Sequence, residues 1–424
     1  MGYRNTNFIY GHSNKFYKKA VNEGLMQVTI QGRNGKKVSM PDNSEVVEFI
    51  NCSYLGLDLH PDIIKSSKSL NDTWGVNFCC ARSRFSIEPL QRLEEELSIL
   101  FGGRAITFPS VTTTNISVLP LIASGMLLNP QNPPKVRMIF DKFAHSSMQF
   151  LKPILATESQ VSAIPHNDLN ALREEVMRAK MKGEVAVYVA DGVYSMGGLC
   201  PIQAILSMSN DLDFYVYLDD AHGTSIFGEY GQGSVLSQLP YGMPENLFIS
   251  FCLSKGFGCN GGGILVPSAT QESTIRTYGQ IYAFSAALDF SVANACLSSI
   301  RLHKDGTVPM LQTRLRQNVA LYDRLMELEL PFSPIRMVTI GNEETAIELC
   351  KQILTKGFFV SVVFFPIVPR NKAQLRICVA ANHTEEQIRR LVGVLKSVLP
   401  SLWLDHQGET EYVHNILQKK ARGI

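Results

Sequence analysis

Three residues of this chain have the types and spacing for chemistry. Lys255 follows an apolar, aromatic-rich run and precedes a glycine-rich turn in NLFISFCLSKGFGCNGGGILV (246–266). An amine held between a buried strand and such a turn is partly desolvated, which lowers its pKa and frees it as a nucleophile. The glycines would let the backbone press against something flat or anionic. The stretch alone fits a solvated hairpin lysine equally well. Asp219 and His222 lie in LDDAHGTSIFGEYGQG (218–233), where an apolar strand delivers the carboxylate to its end and a glycine-rich loop follows. Alone, Asp219 reads as a strand-end cap and His222 as a hydrogen-bonded loop histidine. Together, an amine, a carboxylate and an imidazole at neighbouring strand ends meet the needs of pyridoxal phosphate. They supply a covalent anchor, a partner for the ring nitrogen and a donor near the ring oxygen.

The elements that must position them follow an α/β pattern. Short apolar runs at 136–141, 185–191, 214–220, 246–251 and 263–266 alternate with amphipathic helices. Apolar strands without clean alternation, separated by helices, predict a mostly parallel sheet covered on both faces. Ligands of such sheets bind beyond the carboxyl ends of the strands, and three strands end there in Asp141, Asp191 and Asp219-Asp220. Leu90, Leu93, Leu97, Leu100 and Phe101 mark one face of a helix stopped by Gly102-Gly103. Residues 110–125 read as a hydroxyl-rich loop followed by a buried helix, and Asn167 as the cap of a helix ended by Gly183. Residues 51–67 read as a loop leading into a helix near Pro61. Strands are expected at 338–340, 358–365 and 375–379, and Thr384 with Gln387 forms a capping-box pattern for a helix running to Pro400. The chain divides on this reading into an N-terminal arm and lead-in (1–65, with a turn at 32–37), a large cofactor-binding domain (66–300) and a small C-terminal α/β domain (301–424). The tail 408–424 reads as a basic amphipathic helix, solvated at the terminus.

Composition narrows the function classes. The 424 residues carry net charge +2 and are 45% hydrophobic, as in an ordinary globular enzyme. No lysine/arginine run suggests a nucleic-acid groove. Nine cysteines without a CxxC pair or zinc-like spacing read as free thiols in a reducing cytoplasm, and no metal is expected. The N-terminus has no signal-peptide core, and the greasiest stretch, 116–128, is too short to span a bilayer, so no stable membrane insertion is expected. GFGCNG (256–261) has the spacing of a dinucleotide loop, but an apolar run follows where that fold needs a helix. Walker, HExxH and GxSxG motifs do not occur.

Five blocks in order resemble one family, the α-oxoamine synthases. These are fold-type I pyridoxal phosphate enzymes that join an amino acid to an acyl thioester with loss of carbon dioxide. DDAHGTSIFGEYGQG resembles the family's D-E-A-H-x-x-G-x-x-G-x-x-G-x-G block, and Ser-Lys with Gly256 and Gly258 its lysine segment. DKFAHSSM resembles D-x-x-x-H-A-S, DGVYSMGGLCPI resembles S-M-D-G-x-x-x-P-L, and LRICVAANHT resembles R-I-S-x-x-A-x-H-T. The resemblance covers about residues 48–400.

It implies a role for each matching residue. Lys255 holds the cofactor and serves as the α-proton base; Asp219 keeps the ring nitrogen protonated. His145 stacks on the ring, and Ser195 and His222 hydrogen-bond near the ring hydroxyl. Ser110, Val111 and Thr112 hold the phosphate at a helix N-terminus, with position 252 as a further phosphate contact. Arg376 clamps the substrate carboxylate, with Cys52 also at the substrate. Ser285 reaches a neighbouring subunit's phosphate, which implies a homodimer with shared active sites. Four departures stand out: Cys252 replaces a threonine, Val111-Thr112 a glycine-aromatic pair, and Cys52 an asparagine. NFCCARSRFSIEPL replaces and shortens a glycine-rich segment. They put glycine or alanine with small acyl-CoAs in doubt. They incline the reading to a C-acyltransferase making an α-aminoketone, in the manner of specialised synthases of autoinducer signals. An aminotransferase and an idle partner subunit are the rival readings; the retained Lys255 argues against the second.

Overall fold

Strand runs that lack polar alternation are buried on both faces in the centre of a seven-stranded sheet. The computed structural model describes residues 6–68, 74, 75, 78 and 80–399. Its strands are β1 (Gly32–Asn34), β2 (Lys37–Ser39), β3 (Glu45–Glu48), β4 (Arg104–Phe108), β5 (Val136–Asp141), β6 (Gln160–Ile164), β7 (Val185–Asp191), β8 (Tyr215–Asp219), β9 (Leu247–Cys252), β10 (Gly262–Val266), β11 (Ile335–Gly341), β12 (Phe358–Phe359), β13 (Ser361–Val363) and β14 (Ala373–Cys378). The chain forms two compact units: 52–314, and 6–51 together with 315–399.

The first unit holds the sheet in the order β4-β10-β9-β8-β7-β5-β6. All its pairings are parallel except those of β10, which runs antiparallel to β4 and β9. Alternate residues feed two cores: Ile139, Tyr188, Ala190, Val216, Leu218 and Phe251 enter one, and Met138, Phe140, Val187, Val189, Tyr217 and Phe248 the other. Both faces are therefore covered, as the continuous apolar runs require. The expected α/β architecture, with a mostly parallel sheet, is what forms. Two strands escaped the pattern reading. β4 is short and follows directly on Gly102-Gly103, and β6 is a partly exposed edge strand with polar positions.

Local details adjust other boundaries. Residues 111–114 are the first turn of helix Val111–Ala123, not a loop; Ser110 caps it in a reciprocal box with Thr113. Asp168 caps helix Leu169–Met181, while Asn167 takes a left-handed conformation before it. Helix Glu88–Phe101 ends at Gly102 as expected.

In the second unit, β11-β14-β13 form one sheet and β1-β2-β3-β12 another. Residues 6–51 are not a separate arm. They begin with helix Thr6–Asn22, and β3 pairs parallel with β12. Glu48 accounts for this placement. Its carboxylate pairs with buried Lys36 at 2.8 Å and accepts the amides of Ile50 and Asn51, while its carbonyl meets His383 Nε2. Phe49 stacks on the His383 ring at 3.8 Å. The expected capping box of Thr384 and Gln387 is present. The unit boundaries thus fall at 51/52 and 314/315 instead of 65 and 300. The expected helix in the tail lies outside the described residues.

Candidate active site

The carboxyl edge of the large sheet gathers the polar residues. β7 and β8 pair in register so that Asp191 stands directly opposite Asp219. Both are buried. Asp219 Oδ1 accepts the amide of Ala221 at 3.1 Å, and Oδ2 accepts Asn115 Nδ2 at 3.3 Å. Lys255 lies three residues beyond the end of β9, half-buried, with Nζ 2.9 Å from His222 Nε2. The other nitrogen of that ring meets the Tyr54 hydroxyl at 2.7 Å. Lysine, histidine and aspartate, far apart in sequence, thus converge at one edge.

His145 begins the short helix Ser146–Gln149 and caps it through Nδ1. Its backbone amide donates to Asp191 Oδ1 at 2.9 Å. Burial pushes the His145 imidazole pKa down; Asp219 opposes that shift and the Lys255 charge adds to it. Asp191 is pushed well above the usual carboxylate range by burial and by the Asp219 charge beside it. Two adjacent buried carboxylates do not both ionise readily, and burial with the Asp219 charge disfavours the ionised form of Asp191.

The other end of the site is the start of helix Val111–Ala123. Phe108, Gly262 and Cys252 form one cross-strand row at the ends of β4, β10 and β9. A side chain at Gly262 would strike Val111 N at 2.8 Å, so glycine here lets β10 abut the helix start. Ser110 and Val111 are half-buried there, and Thr112 is exposed. The early amides of that helix lack intrahelical partners and suit an anion.

Cys252 does not offer itself to a ligand. It is 2% exposed, its sulfur accepts the Ser254 amide at 3.4 Å and lies 3.1 Å from the Ser254 hydroxyl. The exposed hydroxyl-bearing residue of this segment is Ser254. Close packing of the backbone explains one glycine after Lys255. Gly258 (φ +81°) lies against Leu57: an added Cβ would come within 2.4 Å of Leu57 Cβ.

Ser195 is half-buried in the loop after β7, and Cys52 half-buried two residues before Tyr54. Ser285 lines a cavity of about 490 Å³ with Phe78, Cys80, Ser83, Arg84 and Phe284, which holds none of the other expected site residues. Arg376 sits on β14 in the second unit, facing Met337 and Ser361 across the sheet. Tyr54, Asn115, Ser147 and Ser254 were missed. Tyr54 stands in the loop read at 51–67 and Asn115 in the hydroxyl-rich helix start, and only their contacts reveal them. Among the described residues no cluster suits a metal ion, and no helix is long and apolar enough to cross a membrane.

Pyridoxal phosphate requires an amine, an ionisable carboxylate for its ring nitrogen, a flat neighbour and amide donors for its phosphate. Lys255, Asp219, His145 and the helix start at Ser110 are that set, on one sheet edge, and the residues fit the group. Fold and site together define a fold-type I pyridoxal phosphate enzyme. The chain belongs to the aminotransferase class I and II family, whose model matches residues 83–395. Among curated relatives, 8-amino-7-oxononanoate synthase of Dechloromonas aromatica is 29% identical over 375 residues, 85% of this chain and 92% of the relative. That of Bacillus subtilis is 28% identical over 386 residues, 88% and 93%. Among solved structures, serine palmitoyltransferase from S. paucimobilis superimposes with TM-score 0.82 at 20% identity, covering 95% of this chain and 100% of that one. The 8-amino-7-oxononanoate synthase of Francisella tularensis gives 0.66 at 22% identity, 83% and 97%. Both kinds of relative are α-oxoamine synthases, pyridoxal phosphate enzymes that condense an amino acid with an acyl thioester.

Proposed function

We propose that this protein is a C-acyltransferase that joins an amino acid to an acyl thioester, from coenzyme A or a carrier protein, with loss of carbon dioxide to give an α-aminoketone. The observation that carries the reading is the convergence of Lys255 and His222, 2.9 Å apart, beside the strand end that presents Asp219. Bound pyridoxal phosphate supplies an electron sink for the substrate α-carbon. Lys255 anchors the cofactor and then carries the α-proton at Nζ. Asp219 holds a proton on the ring nitrogen, His145 lies against the ring face, and His222 and Ser195 orient the ring oxygen. Ser110, Val111 and Thr112 receive the phosphate, with Ser254 supplying the hydroxyl that Cys252 cannot. Arg376 takes the substrate carboxylate, with Cys52 at the substrate side.

Ser285 acts in trans, on the site of a second copy, which accounts for its separate cavity and makes the working form a homodimer. The aromatic side chains there favour a medium or long acyl chain. Phe78 and Phe284 are 46% and 78% exposed. That preference supports a signal-type aminoketone product over the short-chain products of primary pathways.

Incubation of the purified protein and pyridoxal phosphate with amino acids and acyl-CoAs of graded length, followed by product mass spectrometry, tests this. The expected outcome is thioester-dependent carbon dioxide release and an aminoketone, best with longer chains. Pyridoxamine phosphate and a keto acid without thioester consumption would make the protein an aminotransferase. Glycine with a short acyl group as preferred pair would remove the signal reading, and a protein that takes no cofactor would be an idle subunit.

A further inference from the structure

Asn115 lies wholly buried on helix Val111–Ala123 and is fully engaged. Its Nδ2 donates to Ser147 Oγ at 2.9 Å and to Asp219 Oδ2 at 3.3 Å, and its Oδ1 accepts the Tyr217 hydroxyl. The amide has one workable orientation. Turned over, it would set an oxygen against the Asp219 carboxylate, with no proton between two acceptors. Its nitrogen therefore faces Asp219, and Tyr217 must donate.

This orientation propagates. Ser147 Oγ accepts from Asn115, so its own proton is available for the next partner, His145 Nδ1 at 2.8 Å. The Ser147 backbone amide also donates to Nδ1, at 3.2 Å. With two donors directed at it, Nδ1 is an acceptor and carries no proton. The single proton of the neutral ring then sits on Nε2. Protonating Nδ1 would strand the Ser147 hydroxyl proton and oppose the amide, in a setting where burial and Lys255 already disfavour the cation. Of the carboxyls facing this site, Asp219 opposes that order without reversing it, and burial disfavours charge on Asp191.

We propose that Asn115 is a positioning residue joining Asp219 and His145 in one directed hydrogen-bond chain, Tyr217 to Asn115 to Ser147 to His145, which fixes His145 as the Nε2-protonated tautomer. The same amide gives Asp219 a donor that favours its ionised form. The two groups assigned to the edge and the face of the cofactor ring are thereby set by one side chain. This rests on the proposed function for its cofactor, but the His145 tautomer does not.

The test has two arms on the full-length protein. In the first, ¹⁵N-histidine NMR without added cofactor reads the tautomer and titration midpoint of His145, assigned by difference with His145→Gln. The wild type shows the Nε2-H pattern. Both Asn115→Leu and Ser147→Ala raise the midpoint by about half a pH unit or more. In the second arm, pyridoxal phosphate is titrated by its visible absorption. Asn115→Leu weakens binding by about tenfold and moves the pH profile of the band. Ser147→Ala, which leaves Asn115 on Asp219, weakens binding less than Asn115→Leu does. That split separates positioning from a general packing defect, which would lower thermal stability and move neither readout. An Nδ1-H wild type, an unmoved His145 in Ser147→Ala, or a folded Asn115→Leu with wild-type affinity and pH profile overturns the proposal. If Asn115→Leu does not fold, the Ser147→Ala titration decides. If the wild type takes no cofactor, the proposed function fails while the first arm still judges the chain.

Discussion

Replacing Gly258 by alanine strikes the turn that presents Lys255. The glycine has φ +81°, and an added Cβ would lie 2.4 Å from Leu57 Cβ, 2.7 Å from Leu57 C and 2.8 Å from Asp58 N. Two of these atoms are backbone and cannot turn aside as a side chain would. The left-handed conformation costs a residue with a Cβ about 1–2 kcal/mol. Forcing the overlap into a packed site adds about 1–3 kcal/mol, giving about 2–5 kcal/mol in all. In a unit of this size that lowers Tm by about 5–10 °C. The strain also reaches the chemistry, because the Gly258 amide donates to the Lys255 carbonyl at 3.0 Å. Relief by moving the turn displaces the amine from His222. Thermal unfolding and a pyridoxal phosphate titration, run on the same preparation, read both effects. A variant that melts within about one degree of wild type and binds the cofactor equally well would contradict the tight packing of Gly258 against Leu57.

Two further outcomes follow from the same geometry. Ser254→Ala should weaken pyridoxal phosphate about tenfold while leaving pyridoxal, which lacks the phosphate, unchanged; Cys252→Ser should do neither. Equal losses for both ligands, or a larger loss in Cys252→Ser, would return the phosphate contact to position 252. Acid should destabilise both units through buried neutral imidazoles. Burial holds His303 down to about 4 and His383 down to about 3. A depressed histidine keeps the native state neutral while the unfolded chain takes a proton. Its full stability is present above an ordinary pKa of about 6.5 and is lost as pH falls toward the folded value. Each group removes about 2 kcal/mol between pH 7 and 5, and His303→Gln or His383→Gln should flatten that part of a urea-unfolding pH series. Equal steepness in wild type and variants would contradict this assignment.

The sheet and its acidic edge were legible because buried parallel strands have no polar face to hide. Runs such as 185–191 have no other stable place, and their terminal aspartates point to the ligand edge. The exceptions were elements whose signal lies outside their own residues. β6 is held by pairing with β5, and helix Thr6–Asn22 by packing against helix Glu343–Thr355. The arm assigned to 1–65 does not stand apart because Glu48, itself paired with Lys36, meets His383, a contact across more than 300 residues that no local pattern encodes. At the site, Lys255, Asp219 and His222 could be read from type and spacing. Asn115 could not, since an asparagine inside a threonine-rich helix start looks like one more polar residue until Asp219 and Ser147 are seen around it. Cys252 stands where the resemblance puts a phosphate contact, and only the structure shows that its sulfur is buried against Ser254.

The most direct measurement of the central claim is reduction of the protein with borohydride after addition of pyridoxal phosphate, followed by peptide mass mapping. A phosphopyridoxyl adduct on Lys255, absent in Lys255→Ala together with the visible absorption band, is the predicted result. An adduct on another lysine, or a band that survives Lys255→Ala, would contradict it.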